Sequence, residues 1–211
     1  MTCRRGGFTI IELMITIAII AILATIAAPS LRDVIQNARM TSVANDLMTD
    51  LSVARAEAIK HSTRTAICTS NNGTGCTATS WNQGWTVFAD TATGGGSYGA
   101  VDGSDVILKV APKIYGADEA SPSMIRGINE LSGPSGGKYV GFRPSGVTTP
   151  GGFGATATIE FYLCDSRTTD NVGTAAATDK GRHIIVLGTG RASVKRCRCS
   201  GTTPTSIACA P

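Results

Sequence analysis

Residues 4–31 read RRGGFTIIELMITIAIIAILATIAAPSL. A short basic leader, Arg4 and Arg5, ends in Gly6-Gly7, and an apolar run follows from Phe8 to Leu31 with one charge, Glu12. As a helix, a run of 24 residues extends roughly 36 Å, enough to cross a hydrocarbon layer of roughly 30 Å. The arginines in front favour a cytoplasmic N-terminus, which places the rest of the chain on the outer side. A secretory signal peptide has a shorter apolar stretch closed by a small-x-small cleavage site, and no clean Ala-x-Ala site closes this one. A plain anchor leaves Glu12 unexplained, because a carboxylate held unpaired at depth costs about 2.5 kcal/mol or more. The natural partner is a free α-amino group, and a cut between Gly7 and Phe8 creates one.

The remainder of the chain agrees with export. Of 211 residues 16% are charged and 42% apolar, and 25 are glycine, a composition of a turn-rich folded domain and not of a disordered tail. The formal net charge of +4 includes Arg4 and Arg5 of the leader, so the remaining balance is too small to indicate a partner. Of the seven cysteines Cys3 lies in the leader, and six remain: Cys68, Cys76, Cys164, Cys197, Cys199 and Cys209. An even number implies an oxidising compartment and up to three disulfides, although six cysteines allow 15 pairings. The pairs favoured here are Cys68–Cys76, closing a short loop, Cys164–Cys197, tying two strands, and Cys199–Cys209, tethering the tail. Cys197-Arg198-Cys199 lacks the second close pair or nearby histidines that a zinc site needs, so neither metal nor cofactor is expected.

Apolar residues continue at helical spacing past Leu31. Leu31, Val34, Ile35 and Ala38 form one stripe, and Met40, Val43, Ala44, Leu47, Leu51, Ala54 and Ala58 another. Charges, Asp46, Asp50, Arg55 and Glu57 among them, are read as lying between the stripes. This predicts one long helix over 8–61, with a membrane or filament-core half (8–31) and an amphipathic half (32–61). Pro29 removes the hydrogen bond to the carbonyl of Thr25 and should bend or loosen the helix locally. Beyond Ser62, strands are expected at Arg64–Thr69, Trp85–Ala89, Val106–Val110, Lys138–Phe142, Thr156–Cys164, Arg182–Leu187 and Arg191–Cys197, with Gly188-Thr189-Gly190 as a hairpin turn and Gly94–Gly99 and Pro134–Gly137 as loops. The expected class is α+β: a long N-terminal helix packed on an antiparallel sheet domain, residues 62–211.

Arg5-Gly6-Gly7 followed by Phe8-Thr9-Ile10-Ile11-Glu12-Leu13 resembles the leader of type IV pilins and type II secretion pseudopilins. The resemblance implies cleavage after Gly7 and N-methylation of Phe8 by a prepilin peptidase. It also implies that Glu12, fifth in the processed chain, neutralises the N-terminus of a neighbouring subunit. Further along, Trp81-Asn82-Gln83-Gly84-Trp85-Thr86-Val87-Phe88-Ala89-Asp90, Phe142-Arg143-Pro144-Ser145-Gly146, Cys164-Asp165 and Gly190-Arg191 are similar to segments of the GspH/FimT/FimU branch. The two tryptophans are read as core.

That branch implies a non-enzymatic minor pilin that sits in the inner membrane with its head in the periplasm. It then joins major and minor pilins through its helix, at or near the tip of a pilus. Two alternatives share the resemblance: a GspH-type pseudopilin of type II secretion, and a FimT-like receptor for DNA. The DNA reading rests on Arg191, Lys195, Arg196 and Arg198, whose phosphate contacts would be independent of base sequence. The branch's Gly-Arg-x-Arg motif is incomplete here, since Ser193 follows Gly190-Arg191-Ala192. Strand alternation places Arg191 and Lys195 on one face and Arg196 and Arg198 on the other. Gly133-Pro134-Ser135-Gly136-Gly137 formally matches a nucleophile elbow but lacks the strand–turn–helix context. His61 and His183 are isolated and read as structural.

Overall fold

The computed structural model describes residues 8–77, 80–91, 99–112, 114, 124–128, 131–132, 138–149, 158–164 and 181–197. The chain divides into two compact units, Met1–Arg39 and Met40–Pro211. One helix, α1 (Ile10–His61), contributes to both, and its backbone stays helical through Pro29. It closes at Ser62, which takes a left-handed φ of 50° and donates its N–H to the carbonyl of Ile59.

In the second unit, helix residues Met40, Ala44, Leu47, Leu51, Ala54 and Ala58 are buried, in the three- and four-residue steps of one helical face. Asp50, read from the sequence as lying between the apolar stripes, is 1% exposed on that same face. The expectation fails because position 50 stands three after Leu47 and one before Leu51, in phase with the buried stripe.

Ten strands follow. They are β1 (Thr65–Thr69), β2 (Trp85–Ala89), β3 (Val106–Ala111), β4 (Met124–Ile128), β5 (Leu131–Ser132), β6 (Lys138–Phe142), β7 (Thr148–Thr149), β8 (Ile159–Cys164), β9 (Gly181–Val186) and β10 (Ala192–Cys197). They make two sheets in which every pairing is antiparallel. The first has the order β3-β2-β1-β6-β5, with β7 against β6; the second has the order β10-β9-β8-β4. All seven expected strands are present, β8 being described from Ile159. Of the expected loop 94–99 only Gly99 is described, and the loop 134–137 and the G-x-S-x-G segment lie outside the described residues. Strands β4, β5 and β7 were not expected: β5 and β7 are two residues long, too short for alternation to register, and long-range pairing alone defines them.

One core joins the helix to both sheets. Leu47, Leu51 and Ala54 meet Ile67, Val87, Val140 and Phe142 of the first sheet and Ile159, Phe161, Leu163, Ile184 and Val186 of the second. Trp81 sits in a short 3-10 helix, Trp81–Gln83, capped by Ser80, and its ring meets Phe161 edge to face at 5.1 Å. Burying each large apolar side chain contributes about 1.5–3 kcal/mol, so this face holds the helix to the sheets. A smaller cluster, Ala66, Cys68, Cys76 and Phe88, lies on the opposite face of the first sheet.

Candidate functional site: the N-terminal helix start and the β10 edge

Thr9 caps α1. The N–H of Glu12 donates to Thr9 Oγ1 at 3.3 Å, and the N–H of Leu13 donates to the Thr9 carbonyl at 3.2 Å. Thr9-Ile10-Ile11-Glu12 has the spacing of a capping box, a signal present in the sequence that the reading above did not use. Glu12 is exposed in the first turn, where unpaired backbone N–H groups and the helix dipole favour an anion. Around it every large apolar side chain from Phe8 to Ile26 is more than half exposed, between 52% and 83%. A surface of this kind requires cover by lipid or by other apolar helices. Among the described residues no helix is long and apolar enough to cross a membrane; the described side chains of the run stop at Ile26 and only Leu31 follows before Val34. Gly7 lies outside the described residues.

The second candidate site is the β9–β10 hairpin. Gly190 turns it with φ 78°, and its N–H donates to the Leu187 carbonyl at 2.7 Å. Arg55 of α1 holds this turn against another. Its Nε donates to the Gly146 carbonyl at 2.9 Å and its Nη2 to the Thr189 carbonyl at 3.3 Å. The Phe142–Gly146 segment thus makes a turn, closed by Gly146 N–H to the Arg143 carbonyl at 2.8 Å, that packs on the helix. Arg191 follows the hairpin turn and is exposed; Lys195 and Arg196 are exposed on β10. Lys195 stands opposite His183 and Arg196 opposite Arg182, so the two cations point to opposite faces of the strand. Arg182 is directed to the helix, with Nη2 donating to Thr41 Oγ1 at 3.0 Å. Arg198 lies outside the described residues. The structure therefore gathers these cations along one edge and does not converge them on a pocket.

Of the cysteines, Cys68 and Cys76 form a disulfide, as the short-loop pairing expected. Cys164 and Cys197 end β8 and β10, but their side chains, and all of Cys199 and Cys209, lie outside the described residues.

Three polar features escaped the sequence reading. Asp50 accepts the indole N–H of Trp85 at 2.8 Å through Oδ2 and meets Lys109 Nζ at 2.5 Å through Oδ1. Asp90, closing the tryptophan-rich segment, is 3% exposed and accepts the Gly99 N–H at 2.8 Å, while its Oδ1 has no hydrogen-bond partner. Burial pushes its carboxyl up to about 6, against the opposing hydrogen bond from Gly99. On the second sheet His183 stacks on Tyr162 at 4.4 Å, and His183 Nε2 lies 3.0 Å from Glu160 Oε2, which also accepts the Tyr162 hydroxyl. Burial, then the hydrogen bond to Glu160, raise the phenol to about 12. His61 pairs with Glu57 at 3.1 Å. Both histidines thus have structural partners, and no cluster of three or more His, Cys, Asp or Glu side chains able to hold a metal occurs among the described residues.

Residues 43–190 match the family described as "Type II transport protein GspH", and residues 2–28 match the prokaryotic N-terminal methylation motif. The chain belongs to the GspH family. Its members are structural subunits of the pilin and pseudopilin type, not enzymes. Over 43 residues the chain is 54% identical to the type IV major alpha-pilin of Moraxella bovis, a match covering 20% of this chain and 27% of that pilin. The chain thus spans about a quarter of the length of that curated relative. Among solved structures it is similar to the type IV minor pilin FimU of Pseudomonas aeruginosa, at 17% identity and a TM-score of 0.44, over 74% of this chain and 87% of FimU. It is also similar to the minor pseudopilin EpsH of Vibrio cholerae, at 12% identity and a TM-score of 0.41, over 75% of this chain and 97% of EpsH.

Proposed function

We propose that this GspH-family chain is a minor pilin, cut by a prepilin peptidase between Gly7 and Phe8, N-methylated at Phe8, and incorporated into a type IV pilus or its tip to prime assembly. Residues 1–7 are the leader, 8–61 the helix that joins other major and minor pilins, and 62–211 the head. Before assembly the Phe8–Leu31 run holds the chain in the inner membrane with the head in the periplasm. The observation that carries the reading is the start of α1, where one exposed carboxylate stands in a sleeve of exposed apolar side chains. In a filament, neighbouring helices cover that sleeve, and Glu12 meets the methylated amine of an adjoining Phe8. The test is Glu12→Ala in cells. Mass spectrometry should find the leader removed and Phe8 methylated, while sheared filaments lack the protein. Normal incorporation overturns the reading, as does an uncut leader in the native chain.

Two further readings have an observation each. The family's description as a type II transport protein favours a pseudopilus; a deletion strain that keeps its pili and loses secretion decides for it. Exposed Arg191, Lys195 and Arg196 favour binding of DNA during uptake. The full chain in detergent then retards duplex DNA, with affinity falling as salt rises and on Arg191→Ala. Absence of a shift at low salt removes that reading.

A further inference from the structure

We propose that the head binds one internal water molecule in a small cavity beside Asp90, where it donates a hydrogen bond to the Asp90 carboxylate and ties the end of β2 to the β6–β7 hairpin. The site lies in the head and does not depend on the assembly role proposed above. The cavity has a volume of about 20 Å³, and Arg64, Asp90, Tyr139, Gly141 and Thr149 are among the residues that line it. About 10–15 Å³ is enough for one water, so the volume suits a single molecule and nothing larger.

Two independent observations point to an occupant. The first is Asp90. It is 3% exposed, and its Oδ2 accepts the Gly99 N–H at 2.8 Å, but its Oδ1 is buried with no hydrogen-bond partner among the described residues. A buried carboxylate oxygen without a donor is costly, the more so when it is charged. The second is Gly141 of β6. Glycine inside a strand gives up packing and backbone entropy, and it often marks the close approach of a ligand. Nothing in the backbone calls for it here: its φ is not positive, and it pairs in regular register with Ala66 and Thr149. A Cβ at Gly141 would meet nothing closer than 3.4 Å, so a methyl-sized space stands open in front of it. That space is on the side of Asp90. The Asp90 N–H donates to the Arg64 carbonyl, and Arg64 stands two residues before Ala66, so Arg64, Asp90 and Gly141 share one face of the sheet. The occupant is neutral, because Arg64 in the lining already supplies a positive charge that favours the ionised carboxylate. It also has further partners, since a buried water typically makes about 3 hydrogen bonds. Thr149 Oγ1 lies 3.5 Å from the position of that Cβ, on the cavity side, and Tyr139 brings a second hydroxyl-bearing side chain to the lining.

The test uses the full chain in detergent micelles at slightly alkaline pH, above the value of about 6 for Asp90, so that the carboxylate is charged. Gly141→Ala is diagnostic because steric fit and chain entropy both predict a gain. With a dry cavity, alanine should raise the urea midpoint by about 0.3 M. With a bound water, the methyl expels it and strands Oδ1, and the midpoint should instead fall by about 0.7 M. Magnetic relaxation dispersion of the water oxygen, which counts long-lived waters, should find one fewer in Gly141→Ala than in the parent. In an Asp90→Ala background no carboxylate is left to strand, and Gly141→Ala should no longer lower the midpoint. Where Asp90→Ala fails to fold, the water count of Gly141→Ala decides alone. An unchanged count, a raised midpoint for Gly141→Ala, or equal falls in both backgrounds overturns the proposal. So does a parent midpoint that shifts when sodium replaces potassium at constant ionic strength, which makes the occupant a cation. Glu12→Ala leaves the water count unchanged even where it abolishes filament entry, so the two proposals fail separately.

Discussion

Replacing Asp50 by alanine should destabilise the head by about 3 kcal/mol. The carboxylate is 1% exposed and makes two contacts, the Trp85 indole N–H at 2.8 Å and the Lys109 ammonium at 2.5 Å. Breaking a buried pair by removing one partner typically costs about 3–5 kcal/mol. Two features locate the value at the low end. The Lys109 side chain is 45% exposed and regains water on losing its partner. The indole cannot do so, because Trp85 is 2% exposed, and a buried donor left without an acceptor costs about 1–3 kcal/mol. Asp50→Asn keeps an acceptor for the indole and should cost about half as much. The chain contains two tryptophans, Trp81 and Trp85, both buried, so intrinsic fluorescence reports unfolding of the head directly. With a urea slope of about 2 kcal/mol/M, Asp50→Ala lowers the midpoint by about 1.5 M. In the double variant Asp50→Ala/Trp85→Phe the two losses should fall short of their sum by about 1 kcal/mol, since phenylalanine leaves no donor stranded. A midpoint for Asp50→Ala within the error of the parent, or equal to that of Asp50→Asn, refutes the assignment.

Three other outcomes follow from the same coordinates. Gly190 has φ 78°, and a Cβ there would stand 1.9 Å from the Gly146 carbonyl that Arg55 also holds; Gly190→Ala should therefore cost more than about 2 kcal/mol in the same urea assay, whereas Ser193→Ala on exposed β10 costs almost nothing. The Cys68–Cys76 bond spans a sequence separation of 8, for which loop closure predicts about 2.5 kcal/mol; Cys68→Ala/Cys76→Ala should lose that much, and a loss below about 0.5 kcal/mol is incompatible with the entropic account. Asp90 has a folded value raised from 3.8 to about 6, so the folded state binds more protons than the unfolded one between those values. Its contribution is complete below pH 3.8 and is lost as pH rises through 6. A stability profile of Asp90→Asn should lack that fall, and an unchanged profile contradicts the assignment.

Most of the architecture was legible because its determinants are local. The face Met40–Ala58 repeats every three to four residues, and Trp85–Ala89 follows the turn at Gly84 that delimits it in the fold. Asp50 shows where local reading stops. The sequence reading set its charge between the apolar stripes, and only Trp85 and Lys109, 35 and 59 residues away, make its place on the buried face tolerable. Arg55 is similar: nothing near it in sequence indicates that it spans the turns at Gly146 and Thr189. The cations Arg191, Lys195 and Arg196 were legible as a group, but their scatter over two faces and a turn became visible only with the register of β9 and β10.

By itself the sequence determined the kind of subunit. A Gly-Gly junction, a 24-residue apolar run and one acid at the fifth position after Gly7 are contiguous, and hydropathy along a chain needs no knowledge of what lies opposite. The tertiary structure alone decided how the head holds together: which carboxylate is buried, which arginine clasps two turns, and which strands pair on one side only among the described residues. Those are properties of pairs distant in sequence, and chain folding brings them within hydrogen-bonding distance by burying apolar surface, a driving force that carries no directional information about the polar groups it strands.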